Sequence, residues 1–427
     1  MEKVELIISG AIQVITCASN SKPKKGKQMS ELGILQNVAI ACNEGKIVAI
    51  ETEGDIQQKF SAEKTLNAEG FTVIPGFVDP HTHLIYGGNR FAEFELRIKG
   101  ATYLEIMQAG GGIVSTVTKT RAASEAELVS SAKSRLDDIL RWGTTTVEIK
   151  TGYGLDIESE MKMLRVSEEL SKTHTVEIVP TFLAAHAIPA EWKGKEDLFT
   201  ELICDEMIPK AWEWYASSEF CRKGTPFFVD VFCEEGAFNL QQTKQIINAS
   251  KSYGFQIKAH VDEFTNLGGA AFVIREGATS IDHLDATSDD EIAMLAASET
   301  IGIVTPTVNF NLGSSKFANA RKIIDKGAAL AVSTDFNPGS APCPSQPMAM
   351  AIACRYQKLM PSEALNAVTI NAAFGVGLGK THGSIELGKS ADFLFLETKD
   401  YRELSYEFPN SCIKKVIKKG KVVYESA

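Results

Sequence analysis

Eight short apolar runs, most of them separated by helix-length stretches, dominate the chain between residues 73 and 335. They are Val73–Leu84, Thr144–Lys150, Val176–His186, Phe227–Cys233, Gln256–His260, Thr279–His283, Gly302–Thr307 and Ala329–Asp335. Helical patterns lie between many of them, at Glu125–Trp142, Ser159–Lys172, Gln241–Tyr253 and Asp289–Ala297. Eight strands with intervening helices predict an α/β fold, a (β/α)8 barrel.

The two ends have a different texture. Residues 1 to 72 hold short apolar or alternating runs, Val4–Ile8, Ala11–Ile15, Leu35–Ile40 and Lys46–Ile50, which predict a small antiparallel sheet. The polar stretch Asn20–Lys27 between them, broken by Pro and Gly, reads as a solvated surface loop. After Asp335, helices are expected at Gln346–Leu359 and Pro361–Ala373, then strands at Ala391–Leu396 and Lys414–Tyr424. This tail is expected to complete the N-terminal sheet. The division is then 1–72, 73–375 and 376–427, with the barrel inserted into a discontinuous β domain. Residues 187–226, with Trp192, Trp212 and Trp214, read as a helical insertion.

Composition narrows the partners. Hydrophobic residues at 44% and charged residues at 23% suit an ordinary globular protein. A formal net charge of -10 argues against nucleic acid or a membrane surface as a general partner. The eight cysteines are scattered, with no C-x-x-C pair, as expected of reduced thiols in a cytoplasmic protein. Neither a charged-then-apolar leader nor an apolar run of transmembrane length is found.

Barrel enzymes place their chemistry at the C-terminal ends of the strands. Of the seven histidines, His81, His83, His186, His260 and His283 fall at such ends, and Asp335 closes the eighth strand. Residues i and i+2 of a strand share a face, so His81 and His83 project together. A lone His-x-His is more often a packed or loop pair than a metal ligand pair. Convergence of the others at strand ends reverses that judgement. Two histidines from strand one, one from strand five and an aspartate from strand eight make a mononuclear site of N and O donors, with a position open for water.

Pro75–His83, Ala259–Glu263, Asp282-His283 and Ser333–Asp335 resemble the metal signature of the amidohydrolase superfamily. The resemblance implies a distorted TIM barrel beside a β-sandwich built from both chain ends. It also implies one zinc or iron ion per chain, held by His81, His83, His260 and Asp335. Glu93–Thr102, Ala109–Ile113, Lys150–Gly154 and Asp335–Ser340 are similar to a branch that hydrolyses a small cyclic amide bearing a carboxylate. For that branch the implied substrate contacts are Arg90, Tyr153, His186, Glu263, Asn337, Gly339 and Ser340. The implied catalytic residues are Glu263, His283 and Asp335.

Several of these side chains keep two readings on residue type alone. Arg90 offers a planar fork for a carboxylate, or a surface salt bridge. Tyr153 meets a heterocycle or packs a loop. His186 bonds the substrate or sits satisfied in the core, and the 337–340 turn supplies contacts or is simply a turn. Hydrolytic ring opening would use water made acidic by the metal, His283 at the oxyanion, and Glu263 or Asp335 for the proton. Lys150 is not expected to bridge a second metal. Gly110–Gly112 lacks the context of a phosphate loop and reads as a mobile loop near the pocket. A homodimer is expected by resemblance. Two rivals are a heterocycle deaminase and a non-catalytic assembly protein. Arg90 and the 337–340 turn disfavour the first, and the complete donor set disfavours the second.

Overall fold

In the computed structural model, residues 1–101, 105, 111–408 and 410–426 are described. Eight parallel strands run in chain order around a barrel: Phe77–Asp79, Thr144–Lys150, Glu177–Ala185, Phe228–Cys233, His260–Val261, Ser280–His283, Ile301–Val304 and Leu330–Val332. A short piece, Gln256–Ile257, precedes the fifth on the same neighbour. The eighth strand meets the first through a parallel bridge between Thr82 and Phe336, and Asp79 accepts the hydroxyls of Ser333 and Thr334 across the seam. All eight predicted strands are present. Helices at Glu125–Arg141, Ile157–Thr173, Leu240–Tyr253 and Asp289–Ala296 lie within two residues of their expected bounds. Capping boxes at Ser124, Asn239 and Ser288 open three of them.

Some expectations are corrected. The segment Val73–Leu84 is not one strand. Thr72–Pro75 pairs antiparallel with Phe393–Leu396 and parallel with Gln13–Ile15, outside the barrel. Only Phe77–Asp79 pairs with the second barrel strand. The chain changes sheets at Gly76, where an added Cβ would lie 2.3 Å from Thr145 Oγ1. After Val304 the chain turns into a helix at Pro306–Asn311, since proline at a first helical position favours that start. Pro361–Ala373 divides into helices Pro361–Ala367 and Ile370–Gly375, with Thr369 in a non-helical conformation.

The chain ends form two mixed sheets rather than one antiparallel sheet. The first orders Lys46–Thr52, Val38–Asn43, Glu2–Ser9 and Phe60–Asn67, with the last pair parallel. The second orders Lys421–Glu425, Ile413–Lys418, Phe393–Leu396, Thr72–Pro75, Gln13–Ile15 and Ile34–Leu35. Strand periodicity makes this second sheet the middle layer. Val14, Val73, Phe393, Phe395 and Ile417 pack toward the first sheet, while Ile15, Ile74, Leu394, Leu396 and Val416 join the barrel core. The 187–226 insertion is helical, and its Trp212 and Trp214 pack at steep angles, tilted and edge-on, against Phe255 and Phe227, which precede barrel strands. No helix among the described residues is long and apolar enough to cross a membrane.

Gly76→Ala overpacks this crossing point. We expect it to lower stability by about 1–3 kcal/mol, read as a lower midpoint of urea unfolding. An unchanged midpoint would show that the junction is loose.

Candidate active site

The histidines and Asp335 picked out from the sequence gather at the C-terminal ends of the barrel strands. His81, His83, His260, His283 and Asp335 are all buried there. Three strand ends reach this arrangement through left-handed backbone at non-glycine residues: Asp262 has φ 57, His283 φ 83 and Asp335 φ 48. Such conformations cost energy and cluster where function requires an unusual side-chain direction. Asp335 Oδ1 lies 3.6 Å from Nε2 of both His81 and His83, and the Nε2 atoms of His83 and His260 are 3.3 Å apart.

The donor set fits a divalent cation. His81 donates from Nδ1 to Asp282 Oδ2 at 2.6 Å, and His260 donates from Nδ1 to Asp230 Oδ1 at 3.0 Å. Each bond fixes the tautomer that leaves a lone pair on Nε2. Among the described residues His81 Nε2 and Asp335 Oδ1 are buried without a hydrogen-bond partner. Lone pairs brought this close need a positive charge between them. Ligand atoms of His81, His83 and His260 form one candidate metal group, and those of His81, His283 and Asp335 another, with His81 common to both. Burial pushes the imidazoles of His81, His83 and His283 well below their ordinary value, so they are neutral donors. Burial likewise raises the Asp335 carboxyl well above its usual range, a strain that a cation relieves.

Asp230 and Asp282 were not among the predicted site residues. Their signal was available: an aspartate inside each apolar run, Phe228–Cys233 and Ser280–His283, has to be paired once buried. Beneath them lie two fully buried lysines. Lys150 Nζ is 2.6 Å from Asp230 and 2.8 Å from Glu148, with Asp282 at 3.6 Å. Lys258 Nζ is 3.2 Å from Glu148 and donates to the Pro80 carbonyl at 2.7 Å. The Lys150 ammonium is therefore engaged by carboxylates. Burial alone would raise Asp230, but His260 and Lys150 outweigh it and hold its carboxyl well below the usual range.

The remaining predicted residues ring this centre. Tyr153 is buried, its ring 5.7 Å from His83 and 5.4 Å from His186. His186 stacks on His83 at 4.7 Å and donates from Nδ1 to the Gly152 carbonyl at 2.9 Å. Burial, then His260, pushes its imidazole down to about 3. His283 Nε2 lies 3.9 Å from Glu263, and its Nδ1 is 3.0 Å from Thr305 Oγ1. Arg90 donates from Nε to Thr116 Oγ1 at 2.8 Å, and its guanidinium lies across Gly339, where a Cβ would fall 2.1 Å from Nη1. Asn337 holds its own turn: Oδ1 accepts the amides of Gly339 and Ser340, each at 2.8 Å, and Nδ2 donates to Ser340 Oγ at 2.9 Å. Thr102 and Ala109-Gly110, parts of two motifs singled out from the sequence, lie outside the described residues.

A barrel-end cluster of histidines and one aspartate defines a class, and comparison agrees. Residues 72–423 match the amidohydrolase family, and the chain belongs to it. Among curated relatives, an imidazolonepropionase of Chloroflexus aggregans is 48% identical, with 99% of both chains covered. Another, from Herpetosiphon aurantiacus, is also 48% identical, covering 94% of this chain and 93% of its own. Solved structures agree on the fold. An adenosine deaminase from Xanthomonas campestris with bound zinc gives a TM-score of 0.73 at 18% identity, covering 99% of this chain and 93% of its own. A guanine deaminase from E. coli gives 0.68 at 16% identity, over 99% of both chains.

Asp282→Ala removes the acceptor of His81. We expect metal affinity to fall roughly 10–100-fold, with Asp282→Asn losing less, in a chelator competition titration. Equal affinity in wild type and the alanine variant would exclude this orienting role.

Proposed function

We propose that the protein is a hydrolase that opens the ring of 4-imidazolone-5-propanoate, breaking a C–N bond of the cyclic amide to give N-formimidoyl-L-glutamate in L-histidine breakdown. The observation that carries this is the 48% identity to an imidazolonepropionase over 99% of both chains. A single zinc or iron ion is assigned to His81, His83, His260 and Asp335; their converging buried atoms support it. When bound, such an ion supplies Lewis acidity, making water a competent nucleophile near neutral pH.

The chain's own residues bind and orient. Arg90 presents its planar fork to the propanoate carboxylate, steadied by Thr116 and by the close approach of Gly339. Tyr153 and His186 take the ring, and the turn of Asn337, Gly339 and Ser340 shapes the carboxylate end of the pocket. His283 stabilises the oxyanion that develops when the ring carbonyl is attacked. In the tautomer in which the Thr305 hydroxyl, 3.0 Å away, donates to Nδ1, its Nε2 carries the proton that this role needs. Burial, then Asp335, pushes the Glu263 carboxyl well above its usual range, which suits a group that takes a proton from water and returns it to the leaving ring nitrogen. Asp335 is the second candidate for that transfer.

The barrel, drawn at 73–375 between β segments 1–72 and 376–427 and lending residues 73–75 to the middle sheet, is the catalytic unit in this proposal. Eight free cysteines support a cytoplasmic setting. The expected form is a homodimer acting on a small molecule, with no nucleic-acid or membrane partner.

The test is loss of imidazolonepropanoate absorbance with purified, metal-analysed protein, beside His260→Ala. Metal-dependent loss with N-formimidoylglutamate as product, and none in the variant, is the expected result. No turnover at full metal content would move the substrate to another cyclic amide or amidine. Separately, Glu263→Gln is expected to lower kcat on the order of 10²-fold or more and flatten the pH–rate profile. Unaltered kcat and profile would leave the proton to Asp335.

A further inference from the structure

The loop that carries Tyr153 is wound around one buried carboxylate that has no part in the chemistry above. Glu160 stands in the first turns of the helix Ile157–Thr173 and is 1% exposed. Its Oε1 accepts the backbone N–H groups of Gly152 at 3.1 Å, Gly154 at 2.7 Å and Leu155 at 2.8 Å, and its Oε2 accepts Gly152 again at 3.0 Å. Successive amides turned to one point make an anion nest, and here the anion belongs to the chain itself.

The nest requires unusual backbone on both sides of the tyrosine. Gly152 has φ 101 and Leu155 φ 55. A Cβ on Gly152 would fall 2.9 Å from His186 Nδ1, and one on Gly154 would fall 2.6 Å from the Glu160 amide. The loop is held from its opposite edge as well. Arg121 donates from Nε to the Gly154 carbonyl at 2.6 Å and pairs with Asp156 at 2.9 Å and Glu191 at 2.7 Å. Between these two grips the loop delivers Tyr153 to the site and offers the Gly152 carbonyl that orients His186.

We propose that Glu160, with Arg121 on the opposite edge, is a positioning residue for substrate recognition: the pair sets the 151–155 loop so that Tyr153 and His186 meet the ring of the substrate. This rests on the assignment of those two side chains as substrate contacts. Neither residue touches the metal ligands, so the pair governs substrate binding and leaves the bond-breaking step alone. Alanine at 160 strands three buried amides. Glu160→Gln keeps a carbonyl oxygen in the Oε1 position, which carries three of the four backbone hydrogen bonds, and so restores most of the loop.

The experiment is steady-state kinetics on wild type, Glu160→Ala, Glu160→Gln and Arg121→Gln, with metal content and thermal midpoint measured on each. The expected result for Glu160→Ala is a rise in KM of about tenfold or more, with kcat within about threefold and metal content unchanged, because positioning contacts shared by ground and transition states act on KM. Glu160→Gln recovers most of that rise. If Glu160→Ala does not fold, Arg121→Gln probes the same loop, with KM expected to rise several-fold at unchanged kcat. A folded, metal-loaded variant of either kind with the KM of wild type overturns the proposal, as does a loss confined to kcat. Wild type that fails to turn over imidazolonepropanoate instead overturns the substrate assignment, so the two failures are distinct.

Discussion

The site is built on a buried ionic lattice. Lys150 and Lys258, both fully inside the barrel, face Glu148, Asp230 and Asp282. Desolvating such charges is expensive, and the lattice persists only because every member has close partners. Three carboxylates against two ammonium groups leave a negative excess. Two of those carboxylates pass it upward by accepting the Nδ1–H groups of His81 and His260. The floor of the barrel thereby sets which nitrogen of each histidine faces the centre, and it favours a cation above it.

The rest of the architecture delivers residues to that floor. Left-handed backbone at Asp262, His283 and Asp335 turns strand ends inward. Asp79, on the first strand, clasps Ser333 and Thr334 just past the eighth and closes the barrel beside His81 and His83. The small domain contributes at the opposite end. Its middle sheet holds Thr72–Pro75, so the first barrel strand begins where that sheet stops, anchored at Gly76. Above the clustered histidines and Asp335 the loops satisfy their polar groups locally. Gly152, Tyr153 and Gly154 stand on the Glu160 nest, and Asn337 folds its own turn under Arg90. In the proposed function a rigid donor set below serves the chemistry and the locally satisfied loops above serve recognition.

What the sequence by itself determined was local. Apolar runs and helical periodicity count out eight strands, and a histidine at a strand end is visible from its neighbours alone, so the barrel and the gathering of His81, His83, His260 and Asp335 at its strand ends were legible. Tertiary structure decided the pairings. His81 meets Asp282 across 201 positions of sequence and His260 meets Asp230 across 30, and nothing near either histidine announces its acceptor. The division of Val73–Leu84 between two sheets, and the parallel pairs that make both end sheets mixed, depend on which distant strand lies alongside. The nest on Glu160 stayed hidden for a different reason: its members are neighbours in sequence, but only the folded loop turns their amides toward one carboxylate. Periodicity records which face of an element is buried, whereas partner and direction are settled when distant segments share a low-dielectric interior, where each charge and each amide has to be satisfied.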